Sequence, residues 1–225
     1  MRKKKLQVFI SSTFTDLIEE RQAAVQAILS CGHIPAGMEL FTAGDESQMK
    51  VIERWIEDSD VYLLILGGRY GSIDPKTGKS YTHLEYEYAI ELGKPFFAVV
   101  INDDALEVKV KEGGISFMEK ENPQKLKEFK GSVLSKMVKF FDDIKDIKLA
   151  IHETMAEFER RELIGWIKGD QEVDTDNLAE QMARLSEDNM TLRKQLVHCF
   201  INLFTFFDVY FEMNQIKNDA NTHCI

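Results

Sequence analysis

Ser80-Tyr-Thr-His-Leu-Glu-Tyr-Glu-Tyr-Ala-Ile-Glu-Leu-Gly-Lys-Pro95 decides how this chain folds. Thr82 reads as a helix N-cap, Leu84, Tyr88 and Leu92 recur at four-residue spacing, and Gly93 with Pro95 ends the helix. An apolar run precedes it (Val61 to Leu66) and another follows (Phe96 to Ile101). Strand, glycine-bearing loop, helix and strand make one βαβ unit. Its first loop opens at the carboxyl end of a parallel strand, where open α/β sheets place their ligands. Glu85, in the first turn of the helix, faces that crevice.

Working outward, Leu6 to Ile10 is a short buried-type strand and Ser11-Ser-Thr13 its exit loop. Thr13 and Asp16 have capping-box spacing before a helix with Leu17, Ala24, Val25, Ile28 and Leu29 on one side, ending near Cys31-Gly32. His33 to Leu40 holds a weak strand that Pro35 assigns to an edge. The loop Phe41 to Glu46 leads into a helix over Ser47 to Asp58, whose buried stripe is Met49, Ile52 and Ile56. Asn102 to Lys120, polar and glycine-containing, reads as a surface connection. Pro123 to Ser135 is a helix, Met137 to Phe141 a fifth strand, and Asp142 to Trp166 a long helix with Ile144, Ile147, Ile151, Met155 and Phe158 on one face.

This alternation predicts an α/β fold, a doubly wound parallel sheet in the order 2-1-3-4-5. The switch point then lies between the first and third strands, where Ser11-Ser-Thr13 meets the loop from Gly67 to Thr82. The α/β domain is expected over 1–168 and an acidic linker over 169–177. Beyond it Met182, Asn189 and Leu196 alternate with Leu178, Leu185 and Leu192 in heptad spacing, with the Asn at a core position as in parallel two-stranded coils. The heptad continues through the apolar stretch Val197 to Met213 as Cys199, Leu203, Phe206, Tyr210 and Met213. Residues 178–213 therefore read as a coiled-coil element for self-association and 214–225 as a tail. The apolar stretch is short for a membrane span and carries His198, Asn202 and Asp208, so membrane attachment is disfavoured.

A net charge of −10 argues against nucleic-acid binding, which needs clustered Lys and Arg. No apolar signal region follows the basic Arg2 to Lys5 start, and the three cysteines are widely spaced. Both point to the cytoplasm, with neither a disulfide framework nor a zinc site. The five histidines are scattered, which indicates no metal centre.

Glu85 has two readings. In one, Thr82-x-x-Glu85 is a capping box and the glutamate satisfies a backbone N–H. In the other it is catalytic. The long loop before it favours the second reading, since it supplies Arg69, Tyr70 and Ser80, suited to a phosphate, an aromatic base and a sugar hydroxyl. Glu87 points elsewhere on the helix. Gly-Lys-Ser at 78–80 lacks the earlier glycine of a phosphate-binding loop, because position 73 is Ile. Ser11 and Ser12 have no histidine partner of triad type. Asp16, Glu20 and Arg21 read by default as an ion network on the surface of the first helix, with a pairing of Arg21 and Glu85 across the crevice as the alternative.

Val8-Phe-Ile-Ser-Ser-Thr-Phe14, Asp16, Glu20-Arg21, Gly67-Gly-Arg-Tyr-Gly71, Ser80-Tyr-Thr-x-x-Glu-Tyr-x-Tyr-Ala89 and Gly-Lys-Pro95 together resemble a TIR-like domain family of unknown function. That family occurs in bacterial defence-type proteins. The resemblance is specific over residues 5–101 and implies a flavodoxin-like fold. Glu85 is similar to the glutamate that catalytic TIR domains and nucleoside deoxyribosyltransferases carry in the same helix, where it works at a nucleotide's ribose. The resemblance implies an NAD hydrolase activated by oligomerisation, with NAD as substrate rather than cofactor. Glu85 is then the catalytic residue. Ser11, Ser12, Thr13, Phe14, Arg69, Tyr70, Gly71, Ser80, Tyr81 and Thr82 form the substrate site. A non-enzymatic nucleotide-binding or protein-interaction module and a deoxyribosyltransferase-like enzyme are the alternatives.

Overall fold

A computed structural model describes residues 4–37, 47–167 and 180–196. The chain divides into two units, Met1–Ile167 and Lys168–Ile225. The first holds β1 (Gln7–Ser11), α1 (Ile18–Ser30), β2 (Ile34–Ala36), α2 (Gln48–Asp58), β3 (Val61–Leu66) and α3 (Tyr81–Glu91). It continues through β4 (Phe96–Ile101), α4 (Asp103–Gly113), a 3-10 turn (Ile115–Phe117), α5 (Pro123–Leu134), β5 (Lys139–Phe141) and α6 (Ile144–Phe158).

The five strands form one parallel sheet in the order β2-β1-β3-β4-β5. This is the predicted order, with Pro35 on the edge strand, where its missing N–H costs no ladder bond. Because β3 and β4 are buried on both faces, they read as unbroken apolar runs. One face is covered by α1 and α6, through Ala24, Ile28, Ile147 and Ile151 against Val8, Ile10, Leu63 and Val99. The other is covered by α2, α3 and α5, through Ile52, Ile56, Tyr86, Ala89 and Phe129 against Phe9, Tyr62, Leu64 and Val100. Helices on both faces follow from right-handed crossovers.

Several local expectations are corrected. Ser80 caps α3, accepting the N–H of His83 at 3.2 Å. Thr82 lies inside the helix, and the buried face is Thr82, Glu85, Tyr86 and Ala89 rather than Leu84, Tyr88 and Leu92. No Thr13–Asp16 capping box forms, since α1 starts at Ile18 and its cap position, Leu17, has no side-chain acceptor. Leu29 and Ile144 turn outward. Residues 102–120, expected as a connection, contain α4. Met137 is exposed before β5 begins. α6 ends at Phe158, and after a turn at 159–161 the chain brings Trp166 beside Lys5, where the two exchange backbone hydrogen bonds of 2.7 and 2.9 Å.

In the second unit, residues 180–196 form a helix whose side chains are all exposed, Met182, Leu185, Leu192 and Leu196 included. The loop 38–46, the linker 169–177, the flanks of the heptad segment (178–179 and 197–213) and the tail 214–225 lie outside the described residues. Among the described residues no helix is long and apolar enough to cross a membrane.

Candidate functional site

Parallel strands point their carboxyl ends one way, so the exits of β1 and β3 lie side by side at the switch point, with the start of α3 beside them. Glu85 stands five residues past the Ser80 cap, beyond the reach of a capping box, whose acid sits three past the cap. The structural reading of Glu85 as a cap is thereby removed. Its side chain turns into the sheet instead, 2% exposed, and accepts a hydrogen bond from Ser11 Oγ at the end of β1.

Burial raises the Glu85 carboxyl to about 7, against the Ser11 hydrogen bond and the charge of Arg21, which both lower it. The group therefore changes charge near neutrality. The Tyr62 hydroxyl, on β3, is fully covered too. Its pKa is pushed well up, first by burial and then by the Glu85 charge. Arg21, assigned to the surface by its sequence, is buried, and its guanidinium donates to Ser12 Oγ (2.8 Å) and to the Ile10 carbonyl (3.3 Å). It ties the first turn of α1's inner face to the β1 exit loop and places a positive charge behind the glutamate.

Above Glu85 lies a cleft of about 130 Å³. Ser12, Thr13, Phe14, Arg69, Gly71, Tyr81, Thr82 and Glu85 line it. Gly71 has φ +94°, and a Cβ there would come within 2.9 Å of Thr13 Cγ2, so the backbone turns where only glycine fits. Phe14 is half exposed at the mouth. Arg69 donates to Thr15 Oγ1 at 2.9 Å, which aims its guanidinium across the opening. Ser11 lies beneath Glu85 and outside the lining, and Ser80 is consumed as the cap.

Tyr70 is not brought to the cleft. Its ring packs edge-on against Phe129 in the core, its hydroxyl pairs with His83 Nδ1 at 2.8 Å, and its N–H donates to Glu119 at 2.8 Å. Thr15, Gln48 and Ser72, which the sequence did not single out, complete the lining. The long β3–α3 loop owes its length to a small hairpin, in which Ile73 pairs with Ser80 and Asp74 accepts from both the N–H and the hydroxyl of Thr77.

Two further carboxyls are buried alongside. Asp16 lies over Gly67, and burial raises its pKa against the pull of Thr13, Arg69 and Lys109. Glu20 pairs with Lys109, which reaches over from α4 and also donates to the Asp16 carbonyl at 2.8 Å. Among the described residues no group of His, Cys, Asp and Glu is arranged to hold a metal ion.

The chain belongs to the family described as Domain of unknown function (DUF4062), whose model matches residues 7–156. No curated protein matches it. Among solved structures it is similar to the TIR domains of the activated Roq1 resistosome recognising the pathogen effector XopQ, at 11% identity over 67% of this chain and 99% of that one, TM-score 0.47. It is also similar to the CMP N-glycosidase BcmB of Clostridium botulinum, at 13% identity over 66% of this chain and 98% of that one, TM-score 0.40. A third is a conserved protein of Enterococcus faecalis, at 12% identity over 67% of this chain and 99% of that one, TM-score 0.41. Likeness of this degree carries no statement about what the chain acts on.

Proposed function

We propose that this protein is a nucleotide N-glycoside hydrolase that cleaves the nicotinamide–ribose bond of NAD, with Glu85 as its catalytic carboxylate. NAD is substrate here, not cofactor. The observation that carries the reading is a covered glutamate beneath an open cleft, held by a serine and titrating near 7. As the C1′–N bond breaks, its electron pair passes to the pyridinium nitrogen and neutralises it. The leaving group needs no acid, and the ribose develops oxocarbenium character that an adjacent carboxylate stabilises. Water then adds at C1′, and its proton is released to a group that accepts near pH 7, which is what burial makes of Glu85. Products are nicotinamide, ADP-ribose and one proton.

Arg69 at the rim suits a phosphate oxygen, since a guanidinium offers paired donors to an anion. Self-association through 178–213 is part of the same proposal, in a defence-type role where assembly switches activity on. It is supported by the heptad spacing and by the exposed Met182, Leu185, Leu192 and Leu196 on 180–196. A second copy of the chain is the occupant proposed for that face. Ending the chain at Gly169 is expected to leave a monomer in light scattering; an unchanged oligomer removes the self-association proposal.

One observation favours a second reading, a nucleotide-binding module without turnover: Glu85 is 2% exposed and already bonded to Ser11. Nicotinamide release by the full-length protein at high concentration, beside Glu85→Gln, separates the two. Turnover abolished in a folded variant is the enzyme's outcome. No release in either protein, with an assembled oligomer and bound nucleotide, is the module's.

A further inference from the structure

A cleft of about 130 Å³ is below the ~300–1,000 Å³ of ordinary ligand pockets, so whatever nucleotide reacts at Glu85 must extend beyond it. Two larger pockets adjoin. One, about 460 Å³, shares Gln48 and Tyr81 with the cleft, but Glu53, Asp74, Glu87 and Glu91 line it against Lys76, and with Glu87 paired to Lys79 the remaining excess of carboxylates still repels phosphate. The other, about 470 Å³, shares Arg69, Gly71 and Ser72 with the cleft and lies between the β3–α3 loop and residues 115–122. Joined to the cleft, it brings the whole into the ordinary range.

The second pocket is built by specific contacts. Glu119 N–H donates to the Gly68 carbonyl at 2.8 Å, while its carboxylate accepts from the N–H groups of Tyr70 (2.8 Å), Glu121 (3.0 Å) and Asn122 (3.0 Å). A Cβ at Gly68 would stand 2.4 Å from the Phe117 carbonyl, so only glycine allows this approach. The clasp occupies the Glu119 charge with backbone donors. It leaves Ile115 and Met118, 58% and 43% exposed, on the pocket wall beside Lys120 and Glu121, so that Arg69 and Lys120 face one unclasped carboxylate. Solvated apolar side chains next to a cation, reached past an arginine, suit a diphosphate carrying a second base.

We infer that the adjoining pocket is a second subsite, which takes the half of the substrate that does not react, with its phosphates at the Arg69 waist and its nucleoside against Ile115, Met118 and Lys120. The inference rests on the reading of the cleft as a nucleotide site and adds to it the place of the second nucleoside. A mononucleotide or free nucleoside would leave the larger pocket empty. ADP, which carries the second half but lacks the nicotinamide–ribose bond, is the probe. In calorimetry with the full chain, ADP is expected to bind wild type and Glu85→Gln alike. Ile115→Asp and Lys120→Glu, both at exposed positions, should each weaken ADP at least ten-fold with circular dichroism unchanged. If ADP does not bind wild type, or binds both variants as tightly as wild type, the pocket is not a nucleoside site. Binding of ADP without any NAD turnover discards Glu85 as a catalyst and keeps the pocket. NAD turnover without ADP binding does the reverse.

Discussion

Both ends of the sheet take in polar side chains, wholly or in part, and they use them differently. At the amino ends of the strands, His33 Nδ1 accepts the Leu6 N–H (3.1 Å), and Asp60 accepts from the N–H groups of Gln7 (2.8 Å) and Gly165 (3.0 Å). Lys94 donates to the Ser59 carbonyl at 2.7 Å. Each side chain there completes a backbone group left over by the sheet, and the result is a seal. At the carboxyl ends, Glu85, Asp16, Glu20 and Arg21 bring charge inside, and the carboxyls of Glu85 and Asp16 are pushed up by burial. Burial of polar groups therefore does not mark a site. A displaced proton equilibrium beneath an opening is what makes Glu85 the candidate.

The largest expected effect breaks that symmetry directly. Glu85→Gln should lower NAD turnover about 10³-fold or more, in the range of a lost transition-state charge partner, with secondary structure intact by circular dichroism. Asp60→Ala should do the opposite. It strands two backbone N–H groups and is expected to cost about 2–4 kcal/mol in urea unfolding, while turnover per folded molecule stays within about two-fold of wild type. A loss of specific activity in Asp60→Ala as large as that in Glu85→Gln would erase the distinction between the two ends.

Acidity sharpens the same contrast. Glu85 is raised from 4.5 to about 7 in the fold, so the folded state holds the proton more tightly than the unfolded state. Its contribution to stability is complete below about pH 4.5 and is lost as pH climbs through about 7. Wild type should thus lose up to about 3 kcal/mol relative to Glu85→Gln across that window, measured as the pH dependence of the difference in unfolding free energy. Activity runs the other way, because the oxocarbenium partner is the carboxylate form: turnover should fall as pH drops below about 7. A stability difference that is flat with pH would mean the glutamate keeps its ordinary acidity.

What the sequence exposed and what it hid divide along the same line. Strand order, edge position and the location of Glu85 were legible, because apolar runs alternating with helix signals admit few topologies. α4 was not legible. It buries no residue completely, its Leu106 and Val108 are scattered among charges, and Gly113-Gly114 reads as loop. What fixes it is tertiary: Lys109 on Glu20, and Leu106 against Gly68. Arg21 was misread because i, i+4 charge patterns look alike on a solvated face and a buried one; only the loop it braces decides. Tyr70 sits in a run of glycine and polar residues that suggests solvent, yet Phe129, far along the chain, draws its ring into the core. Distant partners leave no local signal.

The smallest effect tests why Glu85 is free to act at all. Had Thr82 been the cap, Glu85 would have been held at the helix entrance by a backbone N–H. With Ser80 as cap, the helix gains two residues at its start, and Glu85 lies in its second turn and faces inward toward Ser11. Ser80→Ala should cost about 1 kcal/mol of stability, since the hydroxyl that accepts the His83 N–H is lost. Thr82→Ser, which preserves a capping hydroxyl at 82 while removing one methyl, should cost less than Ser80→Ala in the same unfolding assay. If instead Ser80→Ala is silent while Thr82→Ala behaves as a lost cap, the helix begins later than Tyr81, and Glu85 returns to a merely structural position.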